Sequence, residues 1–198
     1  GRLVLADAVT YASRDLKLNP VLDTATLTGA VVIALGIFRT GVFSNDDALA
    51  DTLYEIGEKT GEKNWQMPMD EEYRDLIKTP IADVANSGGR GAGVITASKF
   101  LQEFVGDTPW VHLDIAGTRW ATEEKPYLAK GPTGVPVRTS SRRTSSESEW
   151  AQKLRSVRKR TTSPLPDAFL PVRPRIMAGT SPGGPASRAG SGRSRSSA

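Results

Sequence analysis

VITASKFLQEFVGDTPWVHLDIAG, residues 94–117, changes its period once, and that change sets the architecture. Over 94–105, Val94, Ala97 or Ser98, Leu101, Phe104 and Val105 recur at helical spacing, with Lys99, Gln102 and Glu103 on the opposite face. Gly106-Asp107-Thr108-Pro109 breaks the helix, and Trp110 to Asp114 then reads as a strand running into a loop at Ile115-Ala116-Gly117. A helix that passes into a strand through a short break is the building unit of a layered α/β fold.

The same alternation extends upstream. Leu3, Ala6, Val9 and Ala12 or Ala8 form an apolar face, which predicts a helix over 2–13 that Asn19-Pro20 ends. Val21 to Thr26 suits a buried strand, and Thr28-Gly29 turns it into a small-residue helix through Leu35. Gly41-Val42-Phe43 reads as another strand. Asn45 or Asp46 can cap a helix burying Leu49, Leu53 and Ile56 and ending near Gly61, with one or two further helical turns over 70–78. The expected class is α/β, a helix–sheet–helix layering on a mixed, largely parallel sheet, as part of a domain.

At about residue 139 the composition changes. Residues 1–137 carry 13 Lys and Arg against 19 Asp and Glu, whereas 138–198 carry 13 against 3, so the net charge of +4 conceals an acidic domain and a strongly basic tail. From 139 to 198, Ser, Arg, Pro and Gly dominate and apolar periodicity is lost, apart from a short helical pattern around Trp150 to Val157. Such a segment buries too little apolar area to offset its chain entropy, which predicts a disordered tail over 139–198 beside a folded part over 1–138. Clustered Arg admits nucleic-acid or anionic-membrane binding. The composition is also that of GC-rich codons, as a shifted reading frame produces.

The chain has no cysteine, so disulfides and thiolate metal sites are excluded, and its longest apolar run, Ala30 to Leu35, is too short to span a bilayer. It starts at Gly1, without Met or a signal-peptide pattern, which predicts a piece of a longer protein, and the lack of cysteine fits a cytoplasmic one. There is one His and no HExxH pair. His112 and Asp114 share a strand face beside Trp110, a satisfied structural pair rather than a catalytic one in the absence of a nucleophile. Gly88, Gly89, Gly91 and Gly93 precede the 94–105 helix, but their spacing is neither GxGxxG nor a P-loop, so a glycine turn is expected.

Long strings in this order carry a resemblance. GRLVLADAVTYA (1–12), LDTATLTGAVVIALG (22–36), WQMPM (65–69), ADVANSGG (82–89), ITASKFLQEF (95–104), WVHLDIAGTRW (110–120) and KGPTGVPVRT (130–139) together resemble the leucyl (cytosol) aminopeptidase family over residues 1 to about 138. The resemblance implies a di-metal exopeptidase that releases N-terminal residues from peptides, a homo-hexamer in the cytoplasm using two divalent ions, Mn or Zn, to activate water. The family's metal ligands match segments that precede Gly1, so the expected metal ligands in this chain are none and the chain by itself is expected to be inactive. Arg2 matches the catalytic Arg that holds a bicarbonate general base, although an Arg at a chain end can equally be solvated. Thr26, Leu27 and Gly29 match the substrate-contacting turn, the alternative being a plain strand-to-helix turn with Gly29 present for close packing. Ala116 matches the pocket for the substrate's first side chain, and Arg119, near the same wall, departs from the apolar residue expected there. Two other classes compete: a non-catalytic α/β module whose basic tail binds nucleic acid, and a phosphate-binding enzyme using the Gly88–Gly93 loop.

Overall fold

A computed structural model describes the backbone of residues 1–145 and the side chains of residues 1–141; the helical pattern around Trp150 to Val157 and the rest of the tail lie outside the described residues. Helix α1 (Arg2–Thr10) continues into a π turn over Tyr11–Asp15, where the Leu16 amide reaches the Tyr11 carbonyl. Strand β1 (Val21–Ala25) leads to α2 (Ala30–Leu35), β2 (Thr40–Ser44), α3 (Asp47–Thr60), β3 (Asn64–Gln66) and the single turn α4 (Glu72–Asp75). Helix α5 (Gly93–Val105) and β4 (Trp110–Asp114) follow, then a small hairpin of β5 (Trp120–Ala121) and β6 (Gly131–Pro132), and α6 (Val137–Ser145).

The four main strands order β1-β4-β2-β3. β1 and β4 run parallel, as do β2 and β3, and β2 meets β4 antiparallel, which is the mixed, mostly parallel sheet expected. All five residues of β4 are buried because the strand has a neighbour on each edge and helices on each face. Its even-numbered face brings Trp110 against Ala6, Val9, Phe100, Leu101 and Val105, so α1 and α5 form one layer. Val111 and Leu113 point the other way, onto Leu49, Ala50 and Leu53 of α3. Asp46 caps α3, its Oδ1 accepting the Leu49 amide at 3.0 Å.

Four expectations shift. Ile56 is only partly covered, and Leu3 is 60% exposed because the described residues leave that side of the first turn of α1 open; the buried stripe is Ala6 and Val9 with Ala12 packed beside them. Lys99 is not on a solvent face: it is 1% exposed, and its Nζ reaches the Glu71 carboxylate at 2.7 Å. The helical period places Lys99 away from Leu101 and Phe104, but α4 and the segment before it pack over that side of α5 as well. Finally, helical structure crosses the expected boundary at 138/139. Thr139 is buried, its amide donating to Glu62 Oε2 at 2.7 Å while the Arg138 amide donates to Glu62 Oε1 at 3.2 Å. Glu62 lies beyond the end of α3, 76 residues away, and satisfies the free N–H groups at the start of α6 that local composition cannot.

Candidate functional site

β1 and β4 are parallel and in register, Ala25 beside Asp114, so their C-terminal ends open at the same edge of the sheet. The chain leaves β1 there into Thr26-Leu27-Thr28-Gly29 and leaves β4 into Ile115-Ala116-Gly117. One side chain joins the two exits. Asp114, 1% exposed, accepts the Leu27 and Ala116 amides on Oδ1, each at 3.1 Å. On Oδ2 it accepts the Thr28 amide at 3.1 Å and the Thr28 hydroxyl at 2.8 Å. Thr28 Oγ1 in turn accepts the Val31 amide at 3.1 Å, which starts α2. Leu27 and Ala116, read separately from the sequence, are thus brought together on one carboxylate.

Asp114 itself was passed over in the sequence as half of a pair with His112. The two share a face but not a bond. His112 is fully buried, and its Nδ1 lies 2.6 Å from Asp23 Oδ1, while the Trp110 indole donates to Asp23 Oδ2 at 2.6 Å. The expected His112–Asp114 pair is therefore replaced by one with Asp23, one strand over on β1 at the register position opposite, and His112 Nε2 is left buried without a hydrogen-bond partner among the described residues.

Gly29 has φ −69°, an ordinary helical value, and a Cβ built on it meets nothing within 4 Å. Close packing does not explain this glycine, and neither does backbone freedom; its α-carbon borders open space. Gly117 is the tight one. A Cβ there falls 2.1 Å from the Gly36 carbonyl oxygen, so the Ile115–Gly117 loop lies directly on the backbone that follows α2. Thr118 and Thr40 join hydroxyls at 2.8 Å just beyond. Ala116 is 8% exposed and packs with Val31, Phe43, Val94 and Ile95, with Met67 and Met69 against the same cluster; Met69 also meets the cluster that Leu27 borders. Arg119 folds back so that its guanidinium donates to the Ala116 carbonyl.

Arg2 is half-buried at the start of α1, and its Nη1 donates to the Asn86 carbonyl at 2.9 Å, so it is tied to the 82–89 segment rather than frayed. Burial pulls its guanidinium below the ordinary arginine value. It stands apart from the Asp114 constellation, as no hydrogen bond or ion pair joins the two among the described residues. The glycines at 88 and 89 have structural duties. A Cβ on Gly88 would meet the Thr96 side chain at 2.9 Å, and Gly89 has φ +93°.

Among the described residues no group of three or more His, Cys, Asp and Glu side chains is placed to hold a metal ion. The carboxylates nearest the site are committed, Asp114 to the turn and Asp23 to His112 and Trp110. The described residues do not fit a metal centre.

Two backbone exits are held on one carboxylate at the C-terminal edge of parallel strands, the edge at which α/β folds generally place their ligands. Residues 1–140 match the catalytic domain of the cytosol aminopeptidase family, and the chain belongs to that family. It is 56% identical over 142 residues to the "Probable cytosol aminopeptidase" of Solibacter usitatus, covering 72% of this chain and 29% of that protein. The "Probable cytosol aminopeptidase" of Koribacter versatilis is 54% identical over 139 residues, 70% of this chain and 27% of its own length. Among solved structures, a variant of tomato leucine aminopeptidase superposes with a TM-score of 0.64 at 42% identity, covering 70% of this chain and 26% of its own. The bottromycin maturation enzyme BotP gives 0.66 at 40%, covering 70% and 31%. The chain spans under a third of the length of the curated relatives it matches.

Proposed function

We propose that this chain supplies the C-terminal, substrate-facing part of a di-metal leucyl aminopeptidase that removes N-terminal residues from peptides. The observation that carries the reading is the Thr26–Gly29 turn and Ala116 held together at the strand ends, with Gly29 open on a side that no described residue fills. In this reading Thr26 and Leu27 present backbone groups to the substrate's first residue, Gly29 leaves room for it, and Ala116 floors its side-chain pocket, with Arg119 at the rim. Arg2 holds the bicarbonate that serves the family as general base; its guanidinium spends one N–H on Asn86 and keeps other donors for an oxyanion.

The divalent ions, Mn or Zn, belong to segments of the family's domain that this chain does not match, so the chain alone is inactive. Exposed apolar side chains such as Ile33 at 90%, Phe38 at 72% and Ile81 at 92% suit surfaces that the remainder of the domain or neighbouring subunits of a hexamer cover. The relatives' names support a cytoplasmic setting, and among the described residues no helix is long and apolar enough to cross a membrane. Nucleic-acid binding would rest on the basic residues after 138.

The test compares leucine-anilide hydrolysis by the purified chain, in added Mn or Zn, with that by the full-length enzyme carrying this segment. Activity only in the full-length protein, abolished by Gly29→Leu with metal content intact, supports the reading. Hydrolysis by the purified chain, or an active and folded Gly29→Leu enzyme, refutes the division of labour or the turn's role, respectively.

A further inference from the structure

We propose that Asp114 is a positioning residue for the aminopeptidase site, one carboxylate that fixes the distance and orientation between the substrate-facing turn and the side-chain pocket. The proposal rests on the reading of Thr26–Gly29 and Ala116 given above. Its own ground is the bonding of a buried group. Asp114 is 1% exposed and has no cation among its partners in the described residues; three backbone N–H groups and one hydroxyl satisfy it. A carboxylate taken out of water is costly unless every lone pair is used, and here each oxygen takes two donors.

The donor set explains why a carboxylate stands at this position. Oδ1 faces the Leu27 and Ala116 amides, and Oδ2 faces the Thr28 amide and hydroxyl. An amide side chain puts –NH2 where one oxygen was, so at least one backbone N–H then meets another N–H. The acceptor at Oδ1 spans the two exits and the one at Oδ2 ties the Thr28 amide and hydroxyl to the same group, so only a carboxylate satisfies all four donors at once. Asp114 is also well placed to impose that spacing. It ends the central strand β4, paired with Ala25 on one side and Gly41 on the other, so its Cα is fixed by both neighbours. The Thr28 hydroxyl passes the constraint to Val31 at the start of α2, and Val31 packs in the same cluster as Ala116. Turn, pocket floor and the first turn of α2 therefore move as one unit or not at all. Asp114 touches none of the reacting atoms in this scheme, so its loss acts on how the substrate is gripped.

The experiment uses the full-length enzyme, with kcat and KM measured on a leucyl peptide for Asp114→Asn, Thr28→Val, Thr28→Ser and Gly29→Leu, and metal content and active-site titration for each. Asp114→Asn is expected to raise KM about tenfold or more while kcat per titrated site changes less than about threefold. Thr28→Val is expected to shift KM in the same direction by less, and Thr28→Ser, which keeps the hydroxyl, to restore it. Amide exchange at Leu27, Thr28 and Ala116 should quicken together in Asp114→Asn. An unchanged KM overturns the proposal, as does a loss that vanishes once rates are divided by titrated sites, which is the mark of a merely structural role. Should Asp114→Asn fail to fold, an unchanged KM in Thr28→Val overturns it alone. Gly29→Leu separates the two levels: damage there with a silent Asp114→Asn sinks only the positioning role, whereas silence in both sinks the substrate turn and the proposal with it.

Discussion

Replacing Glu62 by Gln tests how the chain past 138 is held. Glu62, with its side chain 2% exposed, accepts the Arg138 and Thr139 amides and the Arg138 guanidinium, at 3.2, 2.7 and 3.1 Å. A hydrogen bond to a charged group contributes about 1.5–3 kcal/mol. The Arg138 side chain is 63% exposed, so that pairing counts for less than about 1 kcal/mol. Gln keeps one acceptor oxygen and turns a donor toward the other amide, so the net loss is about 2 kcal/mol, on the order of thirtyfold in the opening equilibrium of α6. Hydrogen exchange at Thr139 and Ser140 reads this directly, and Glu62→Gln should quicken both by about that factor. The wild type should show the same loss in acid. Burial alone would raise the Glu62 pKa, but the donors from Thr139 and Arg138 outweigh it and hold the carboxyl below its ordinary value. A depressed folded-state pKa contributes stability that is present above the ordinary carboxylate value and lost as pH falls through the lower one. After correction for intrinsic exchange, protection of α6 should therefore fall in that window in the wild type and stay flat in Glu62→Gln. Exchange changed less than about threefold by the substitution, or an acid dependence that survives it, would refute the anchoring.

Truncation after 138 should lower the thermal midpoint by roughly 5 °C relative to truncation after 145, because only the longer chain keeps the Thr139 bond to Glu62; equal melts would contradict this. Gly117→Ala should destabilise by at least about 3 kcal/mol in urea unfolding, since its Cβ would fall 2.1 Å from the Gly36 carbonyl oxygen and backbone cannot swing aside. A cost under about 1 kcal/mol would mean the two loops are not in contact. Glu71→Ala should lower the urea midpoint more than Lys99→Met, because the first leaves a buried ammonium without its carboxylate and the second removes the charge while keeping an apolar stem. The reverse order would show that Lys99 is not held by Glu71.

Periodicity carried the fold a long way, and its failures share one cause. Helix α5 and strand β4 stand where the change of period in 94–117 puts them, and the mixed sheet follows from the alternation around them. What a period cannot give is the partner across the fold. Lys99 sits on the polar side of its own wheel, yet α4 packs over that side. His112 and Asp114 share a face as the strand period requires, while Asp23, Leu27 and Thr28, which they bond, lie 86 to 89 residues earlier, reached only because β1 lies beside β4. Strands β3 and the β5–β6 pair, three and two residues long, are too short for any alternation to register.

The two glycines at the site show the limit most clearly. In the sequence Gly29 follows a strand and opens a helix, so packing or turn geometry is a natural reason for it; Gly117 looks like the ordinary start of a loop. The structure exchanges these roles. Gly117 is fixed by contact with the Gly36 backbone, a contact between segments 81 residues apart in the chain. Gly29 has neither a left-handed φ nor a neighbour within 4 Å of its missing side chain. It stands at the N-cap of α2, where glycine is preferred over alanine, but neither a dihedral nor a contact among the described residues demands it. A glycine with open space beside it, at the edge where two strands deliver their loops, leaves room for something beyond the described residues; under the function proposed above that occupant is the substrate, and an active Gly29→Leu enzyme would hand the space to another part of the domain instead.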